Sequence, residues 1–423
     1  MSKLFLRKRN SAMFGFREIN QFCPIIIALL TGIFAHAGDG DYAISKIPQD
    51  LLKNANAIKR MDETILEISS LNKVKWYQKF AVTVLNENGD QYAQLYRSYD
   101  KLRSVESIEG RLYDVNGKKL KNLKKTDIQD LSGISEISLY EDSRVKFHSF
   151  YYKAYPYTVE YEVQVVFNNT YLFPDWIPQY DEKVAVEQSS YSLICSSNFK
   201  FHYKPFNYPG DPKVTEEKND NVYKWEIKNL SPMADQFASP PWETRTTCVF
   251  FSPDKFEISG YSGEAGSWDN LGRFQYELNK GRDQLPPAIK QTVHALTDQV
   301  VDPKEKIRIL YEYLQKNTRY ISIQLGIGGF QPFPASEVAT KSYGDCKALS
   351  NYMYALLKEA NIKSCYTEIK SGKDEKFFMP DFPSDQFDHI ILCVPLRIDT
   401  VWLECTSQAL PAGYLGGFTA DRF

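Results

Sequence analysis

The chain has 423 residues, with 51 basic and 53 acidic side chains and a formal net charge of -2. This length predicts two or three domains, each able to bury a hydrophobic core. Hydrophobic residues make up 43% and charged residues 25%, which argues against a disordered or membrane-embedded chain. The balanced charge argues against a nucleic-acid-binding protein. The 28 tyrosines and 26 phenylalanines favour β structure.

The amino-terminal segment has the features of an export signal. A basic start precedes an almost unbroken apolar run from Pro24 to Phe34, and the small-x-small sequence Ala35-His36-Ala37 follows it. The run is about half as long as a bilayer span requires. We therefore expect residues 1–37 to be a signal peptide, and the mature chain to be periplasmic or cell-envelope associated in a bacterium, with no integral membrane segment. The alternative is a buried core helix.

Cleavage near Ala37 would leave six scattered cysteines, with no spacing typical of a zinc site. They are Cys195, Cys248, Cys346, Cys365, Cys393 and Cys405. An exported protein can form disulfides, and Cys195 with Cys248 is the leading pair by this argument. Two buried thiols at these positions are the alternative.

Residues 38–274 are predicted to form a β-rich domain. Apolar residues alternate with polar ones across Tyr157 to Phe167 and again across Val222 to Leu230, which is the pattern of half-buried strands. Asn116-Gly117 lies between such runs and predicts a tight hairpin. Several short strands of this kind predict an antiparallel sandwich or barrel, of which we expect the β-sandwich-like form.

Near Gly281 the apolar period changes from two to 3.6, and we predict a second, α+β domain over residues 275–423. Asp302 is suited to cap a helix that begins at Pro303, with Glu305 completing a capping box. The elements expected after it are a helix from about Asp345 to Ala360 and strands at Cys365–Lys370, His389–Leu396 and Val401–Glu404. The chain ends soon after Glu404 in a glycine-rich stretch, so we expect this domain to be C-terminally truncated or incomplete.

Cys346 is the candidate nucleophile. It follows Gly344-Asp345 at the predicted start of a helix, where unpaired N–H groups and the helix dipole favour a thiolate. A thiolate is the attacking form of cysteine. Lys347 adds positive charge nearby. The alternative for Cys346 is a small core residue.

A thiolate nucleophile requires a base, and His389 is the histidine that follows Cys346 in the chain. It opens an apolar strand, and Glu404 lies at the end of the next predicted strand. Adjacent antiparallel strands would place His389 and Glu404 side by side, so that the carboxylate orients the imidazole. Asp388 is a weaker partner, because its side chain should leave the opposite face of the strand.

These residues resemble the transglutaminase-like superfamily of papain-type thiol enzymes. The resemblance covers about Val301 to Thr406 and is carried by Gly344-Asp345-Cys346, Asp388-His389 and Trp402-x-Glu404-x-Thr406. The whole chain resembles exported bacterial proteins that join a β-rich domain of unknown function to such a core. The resemblance implies Cys346 as nucleophile, His389 as base and Glu404 as third member, although the superfamily more often has Asp at the last position.

The expected chemistry is acyl transfer from, or hydrolysis of, an amide bond in a peptide or protein, through a thioester on Cys346. No metal or organic cofactor is required. The N–H group of Cys346 can stabilise the oxyanion, and Gln324 and Gln331 are candidates for a second donor. The alternative is a non-catalytic periplasmic interaction protein with an inert scaffold of the same fold.

Overall fold

The structure is a computed structural model that describes residues 40–133, 138–234, 236–372 and 377–420. The predicted signal peptide lies outside these residues. No helix in the described ranges is long and apolar enough to cross a membrane.

The β-rich region, which we define as residues 40–264, is built on one eight-stranded sheet. The strands are β1 (Ala57–Ser70), β2 (Lys73–Val84), β3 (Leu95–Tyr99), β4 (Arg103–Tyr113), β5 (Lys119–Asn122), β6 (Gln129–Ser132), β7 (Ser138–Glu141), β8 (Arg144–His148), β9 (Tyr157–Phe167), β10 (Val184–Ser196), β11 (Phe201–Phe206), β12 (Lys213–Glu217), β13 (Asp220–Leu230), β14 (Cys248–Pro253), β15 (Lys255–Ile258) and β16 (Tyr261–Glu264). The large sheet has the order β12-β13-β10-β1-β2-β9-β4-β5. Two short helices accompany it, α1 (Gln49–Leu52) and α2 (Trp242–Arg245).

The main core of the β-rich region lies between this sheet and smaller groups of strands, β3-β8-β6 and β11-β14. The alternating pattern predicted β9 within its observed bounds, and its apolar side chains from Val159 to Phe167 are buried in this core. The hairpin predicted at Asn116-Gly117 joins β4 to β5, with Gly117 at a φ of +76°. The pairing of β1 with β10 differs from the antiparallel expectation, because these two strands run parallel.

The second face of β9 is also covered, which the alternating pattern did not indicate. Glu160 is completely buried and accepts hydrogen bonds from the Tyr42 hydroxyl at 2.6 Å and from Arg111 Nη1 at 2.7 Å. Tyr42 belongs to the segment before β1, which folds back over the sheet. The buried carboxylate is therefore compensated by partners distant in sequence, as burial of a charge requires.

The C-terminal region, which we define as residues 268–420, combines helices with a three-stranded sheet. Its helices are α3 (Trp268–Asn279), α4 (Pro287–Thr297), α5 (Pro303–Asn317), α6 (Ala335–Lys341), α7 (Cys346–Glu359) and α8 (Gly416–Thr419), and its strands are β17 (Arg319–Tyr320), β18 (Ser322–Gln324), β19 (Tyr343–Gly344), β20 (Cys365–Ile369), β21 (His389–Pro395) and β22 (Thr400–Leu403). The molecule is thus a strand-rich α+β protein. The domain boundary expected near residue 275 falls within α3.

Packing against a sheet explains the position of α7. Its apolar side chains, including Leu349, Met353 and Leu356, form one core with Leu392 and Val394 of the three-stranded sheet, whose order is β20-β21-β22. The predicted strands of this sheet differ from the observed ones by at most one residue at each end.

The start of α5 is partly as predicted. Asp302 caps the helix by accepting a hydrogen bond from the Lys304 backbone N–H at 3.1 Å. The expectation that Glu305 completes a capping box is wrong, because its carboxylate pairs with Arg308 one turn along the helix. The Arg308 side chain offers a charged donor, which the backbone N–H of the cap does not.

Candidate functional site

The chain approaches α7 through a tightly packed turn. Ser342 ends α6 in the left-handed conformation, with a φ of +60°. The chain then forms β19, which pairs in parallel with β17. A Cβ atom on Gly344 would lie 2.7 Å from the Cβ atom of Ala348. Glycine is therefore required here by the close approach of the helix, and the left-handed turn before it is made by Ser342.

Asp345 prepares the helix start on which Cys346 stands. Its Oδ1 accepts a hydrogen bond from the Ala348 backbone N–H at 2.9 Å, which caps α7. Its Oδ2 lies 2.5 Å from the Lys347 ammonium, and both side chains are at most 5% exposed. Burial alone would lower the pKa of Lys347, but the negative charges of Asp345 and Cys346 outweigh it and raise that pKa above its usual value. Lys347 is thus a buried, paired cation beside the sulfur.

His389 and Glu404 are joined across two neighbouring strands. β21 and β22 run antiparallel, with Leu392 opposite Leu403, so His389 at the start of β21 lies near the residue that follows β22. The His389 Nε2 atom and the Glu404 Oε2 atom are 2.9 Å apart, and both residues are buried. The sequence-based expectation of an imidazole beside a carboxylate is therefore met in the geometry.

Cys346 and His389 line the same cavity. Burial alone would lower the pKa of His389, but hydrogen bonds with Cys346 and Glu404 outweigh it and raise the pKa to about 9. Because Nε2 is occupied by Glu404, Nδ1 is the nitrogen left for the sulfur. An imidazole with these two neighbours can hold a proton at neutral pH.

Further contacts fix the carboxylate and the imidazole. The Glu404 Oε1 atom accepts hydrogen bonds from the Thr406 backbone N–H at 3.0 Å and from its hydroxyl at 2.5 Å. Burial would raise the pKa of Glu404, but the bonds with His389 and Thr406 hold it below its usual value. The Tyr311 hydroxyl donates to the Glu404 backbone carbonyl at 2.6 Å, and the Phe418 ring meets the imidazole edge-on. Tyr311 and Phe418 had no signal in the sequence beyond their apolar pattern.

The contacts of the other candidates predicted from the sequence show which of them could act at the site. Asp388 accepts a hydrogen bond from the Ser371 backbone N–H at 2.7 Å, away from the imidazole nitrogen that Glu404 holds. Gln331 uses its amide nitrogen on the Tyr261 hydroxyl and the Leu278 carbonyl, both at 3.0 Å, so it is not available as an oxyanion donor. Gln324 lines the cavity that contains Cys346.

The β-rich region forms part of the wall of this cavity. The cavity has a volume of about 400 Å³, and Arg103, Tyr171 and Leu172 line it together with Cys346 and His389. A larger cavity of about 1090 Å³ shares Arg103, Tyr171 and Leu172 with it. Spaces of this size fit small-molecule or peptide ligands.

The segment that precedes His389 packs on the β-rich region. The Pro383 carbonyl accepts a hydrogen bond from the Ser252 hydroxyl at 2.8 Å, and Tyr171 donates to Asp385 at 3.4 Å. The Trp268 indole donates to the Pro380 carbonyl at 2.6 Å. The segment before His389 is therefore positioned by contacts with residues outside the three-stranded sheet to which His389 belongs.

Among the six described cysteines, all are free thiols in this structure. Burial raises the pKa of Cys195 to about 11 and that of Cys248 to about 12. The pair expected to form a disulfide thus has the alternative form, two buried thiols.

Comparisons with known proteins concern the fold of the chain. Residues 72–234 match a family model described as "Domain of Unknown Function with solved-structure structure (DUF3857)". No curated protein matches the chain.

Solved structures show a broader likeness. A "putative protease" from Parabacteroides distasonis is 13% identical, with a TM-score of 0.64, and the match covers 84% of this chain and 68% of that one. Two other structures are too dissimilar to carry an argument. A "putative nutrient binding protein" from Legionella pneumophila is 9% identical, with a TM-score of 0.23, and the match covers 64% of this chain and 83% of that one. Leukotriene A4 hydrolase from Saccharomyces cerevisiae is 11% identical, with a TM-score of 0.24, and the match covers 60% of this chain and 38% of that one. The chain therefore shares a mixed α+β fold with the Parabacteroides protein over most of its length.

Proposed function

We propose that this chain is an exported cysteine enzyme of the transglutaminase-like type, which transfers or hydrolyses the acyl group of an amide bond through Cys346, His389 and Glu404. The observation that carries the proposal is the 2.9 Å contact between His389 and Glu404 beside a cavity that also contains Cys346. A nucleophile, a base and an orienting acid in this order are what thiol acyl transfer requires.

In the proposed reaction, the Cys346 thiolate attacks the carbonyl carbon of an amide. The backbone N–H of Cys346 stabilises the oxyanion, and Gln324 is the candidate for a second donor. His389 then gives its proton to the leaving amine while Glu404 stabilises the imidazolium. The resulting thioester is resolved by a second amine, which gives transamidation, or by water, which gives hydrolysis.

The cavity gives this chemistry a place for substrate. Cys346 is only 6% exposed, but it lines a space of about 400 Å³ bounded by both regions of the chain. A peptide or protein amide is the substrate class that we propose. The name of the Parabacteroides protein, "putative protease", agrees with this class as an analogy between folds.

The test is the rate of alkylation by iodoacetamide at each cysteine of the reduced chain, read by mass spectrometry at pH 7. Cys346 is expected to react at least about tenfold faster than the exposed Cys365, because an ordinary thiol is only a few per cent thiolate at this pH. The His389→Ala variant should lose this advantage, whereas Cys365→Ala should leave the alkylation rate of Cys346 unchanged.

Turnover is tested separately, as release of ammonia or incorporation of a fluorescent primary amine into casein, with Cys346→Ala as the control. Equal alkylation rates at Cys346 and Cys365, together with no effect of His389→Ala, would contradict the proposal. That outcome would instead favour the non-catalytic interaction protein.

A further inference from the structure

Two cysteines outside the candidate site face each other across neighbouring strands. Cys365 of β20 and Cys393 of β21 are direct partners in an antiparallel pairing. Direct partners place their side chains on the same face, with Cα atoms about 4.5–5.5 Å apart. A disulfide bridges Cα atoms separated by about 4.4–6.8 Å, so the two sulfurs can be joined without moving either strand.

Solvent reaches this pair, whereas it does not reach Cys195 and Cys248, the pair expected from the sequence analysis to form a disulfide. Cys365 is exposed and Cys393 is half-buried. Cys195 and Cys248 are at most 1% exposed, and the Cys248 sulfur contacts the Glu243 carbonyl within the β-rich region. A disulfide donor in solution can therefore reach Cys365 but not either of the buried thiols.

We propose that Cys365 and Cys393 form a cross-strand disulfide when the protein meets an oxidising thiol–disulfide environment. The bond would join β20 to the strand that begins with His389, and β22, which leads to Glu404, pairs with the same strand. It would therefore fasten the sheet that holds two residues of the candidate site. This modification does not depend on whether Cys346 is a nucleophile.

The oxidant is a disulfide, either oxidised glutathione or a thiol–disulfide oxidoreductase. The Cys365 thiolate attacks one sulfur of the donor, which forms a mixed disulfide and releases one donor thiolate. The Cys393 thiolate then attacks the Cys365 sulfur, and the second donor thiolate leaves. The protein loses two hydrogen atoms and the donor gains them as two thiols, so the donor is reduced while the cysteine pair is oxidised.

The experiment uses the full chain with Cys23→Ala and Cys346→Ala, so that neither the cysteine of the predicted signal peptide nor the candidate nucleophile captures glutathione. The protein is reduced, freed of reductant and equilibrated with oxidised glutathione, then denatured in iodoacetamide, digested with trypsin and analysed by mass spectrometry. Trypsin can cut at Lys370, between the two cysteines, so a bond appears as two linked peptides.

The expected result is linkage of the Cys365 and Cys393 peptides, with Cys195, Cys248 and Cys405 recovered as alkylated thiols. Cys365→Ser and Cys393→Ser should each abolish the linked species, while Cys195→Ser should leave it unchanged. The proposal is overturned if Cys365 carries glutathione without linkage to Cys393, if both are recovered as alkylated thiols, or if either is linked to a different cysteine.

Discussion

Asp345 serves two buried partners with its two carboxylate oxygens: one caps α7 at the Ala348 backbone N–H, and the other contacts the Lys347 ammonium. The residue before the candidate nucleophile therefore both begins the helix and neutralises a buried cation. Removing the carboxylate affects both functions, whereas replacing it with an amide preserves the cap.

We expect Asp345→Ala to destabilise the protein more than Asp345→Asn. Loss of the cap costs about 1 kcal/mol, and leaving one partner of a buried ion pair uncompensated costs about 3–5 kcal/mol. Asn keeps an oxygen for the cap but leaves Lys347 unpaired. The free energy of unfolding in urea measures the two effects.

The matched control is the double variant Asp345→Asn with Lys347→Met, which removes both charges and keeps the cap oxygen. The free energy of unfolding of the double variant should be higher than that of Asp345→Asn alone. A double-mutant cycle that includes Lys347→Met alone measures the interaction between the two side chains. A Lys347→Met change that fails to improve Asp345→Asn would contradict the buried pairing.

Gly344 and Ala348 form a second pair that can be tested by compensation. Gly344→Ala would place two Cβ atoms 2.7 Å apart, so the start of α7 must shift and carry Cys346 with it. We expect a destabilisation of about 1–3 kcal/mol, the usual range for overpacking. We also expect slower alkylation of Cys346.

Adding Ala348→Gly removes the atom that causes this clash. The double variant should recover the alkylation rate even though glycine in a helix costs about 1 kcal/mol relative to alanine. Ala348→Gly alone provides the reference for that helix cost. A double variant no more reactive than Gly344→Ala would show that the close contact is not what requires glycine.

The carboxylate at Glu404 gives an ordered series of variants. Glu404→Gln removes the charge that stabilises the protonated imidazole, and the alkylation rate of Cys346 at pH 7 should fall about tenfold or more. Glu404→Asp keeps the charge, but its shorter side chain cannot keep every contact with His389 and Thr406 in place. We therefore expect Asp to lie between Glu and Gln in rate.

Thr406→Val is the matched control for this series, because it removes one hydroxyl donor to Glu404 and leaves the backbone donor. Its rate should remain closer to that of the unmodified chain than to that of Glu404→Gln. If Gln and Asp prove equal to Glu, the contact with His389 has no influence on the sulfur.

Local patterns predicted the meeting of His389 and Glu404, because an apolar strand followed closely by another usually forms an antiparallel pair. The start of α7 was readable for a similar reason: capping residues and the 3.6-residue period are local features. The burial of polar side chains by segments distant in the sequence could not be predicted from local patterns. The pairing of Glu160 with Tyr42 joins residues that are 118 positions apart in the sequence. The alternating pattern of a strand does not indicate which distant segment will cover the polar face of that strand.

The same limit applies around the candidate site. Arg103 and Tyr171 line its cavity from the β-rich region, although nothing near them in the sequence marks a site. Lys347 was expected to contribute a nearby charge, but the sequence could not indicate that its ammonium would be buried against Asp345. Tertiary packing determines both features.

The raised pKa of His389 predicts a specific dependence of stability on pH. Its pKa is about 9 in the folded protein and 6.5 in the unfolded chain, so the folded state binds the proton more tightly. The resulting stabilisation is fully present below pH 6.5 and is lost as the pH rises through about 9. At 1.36 kcal/mol per pKa unit, the change is on the order of 3 kcal/mol.

The measurement is the difference in unfolding free energy between Cys346→Ala and Cys346→Ala with His389→Gln, taken from urea titrations between pH 6 and pH 10. Removing the thiol from both chains keeps its own ionisation out of the difference. Glu404 still raises the pKa of His389, so we expect the difference to shrink as the pH rises above 6.5, by less than the full change because the share of Cys346 is absent. The pKa of Glu404 is lowered by the same contact, so its contribution is present above its usual pKa and is lost in acid, outside this window. A difference that stays constant or grows across the window would mean that His389 is neutral in the folded Cys346→Ala protein, and the contact with Glu404 would then hold no proton on the imidazole.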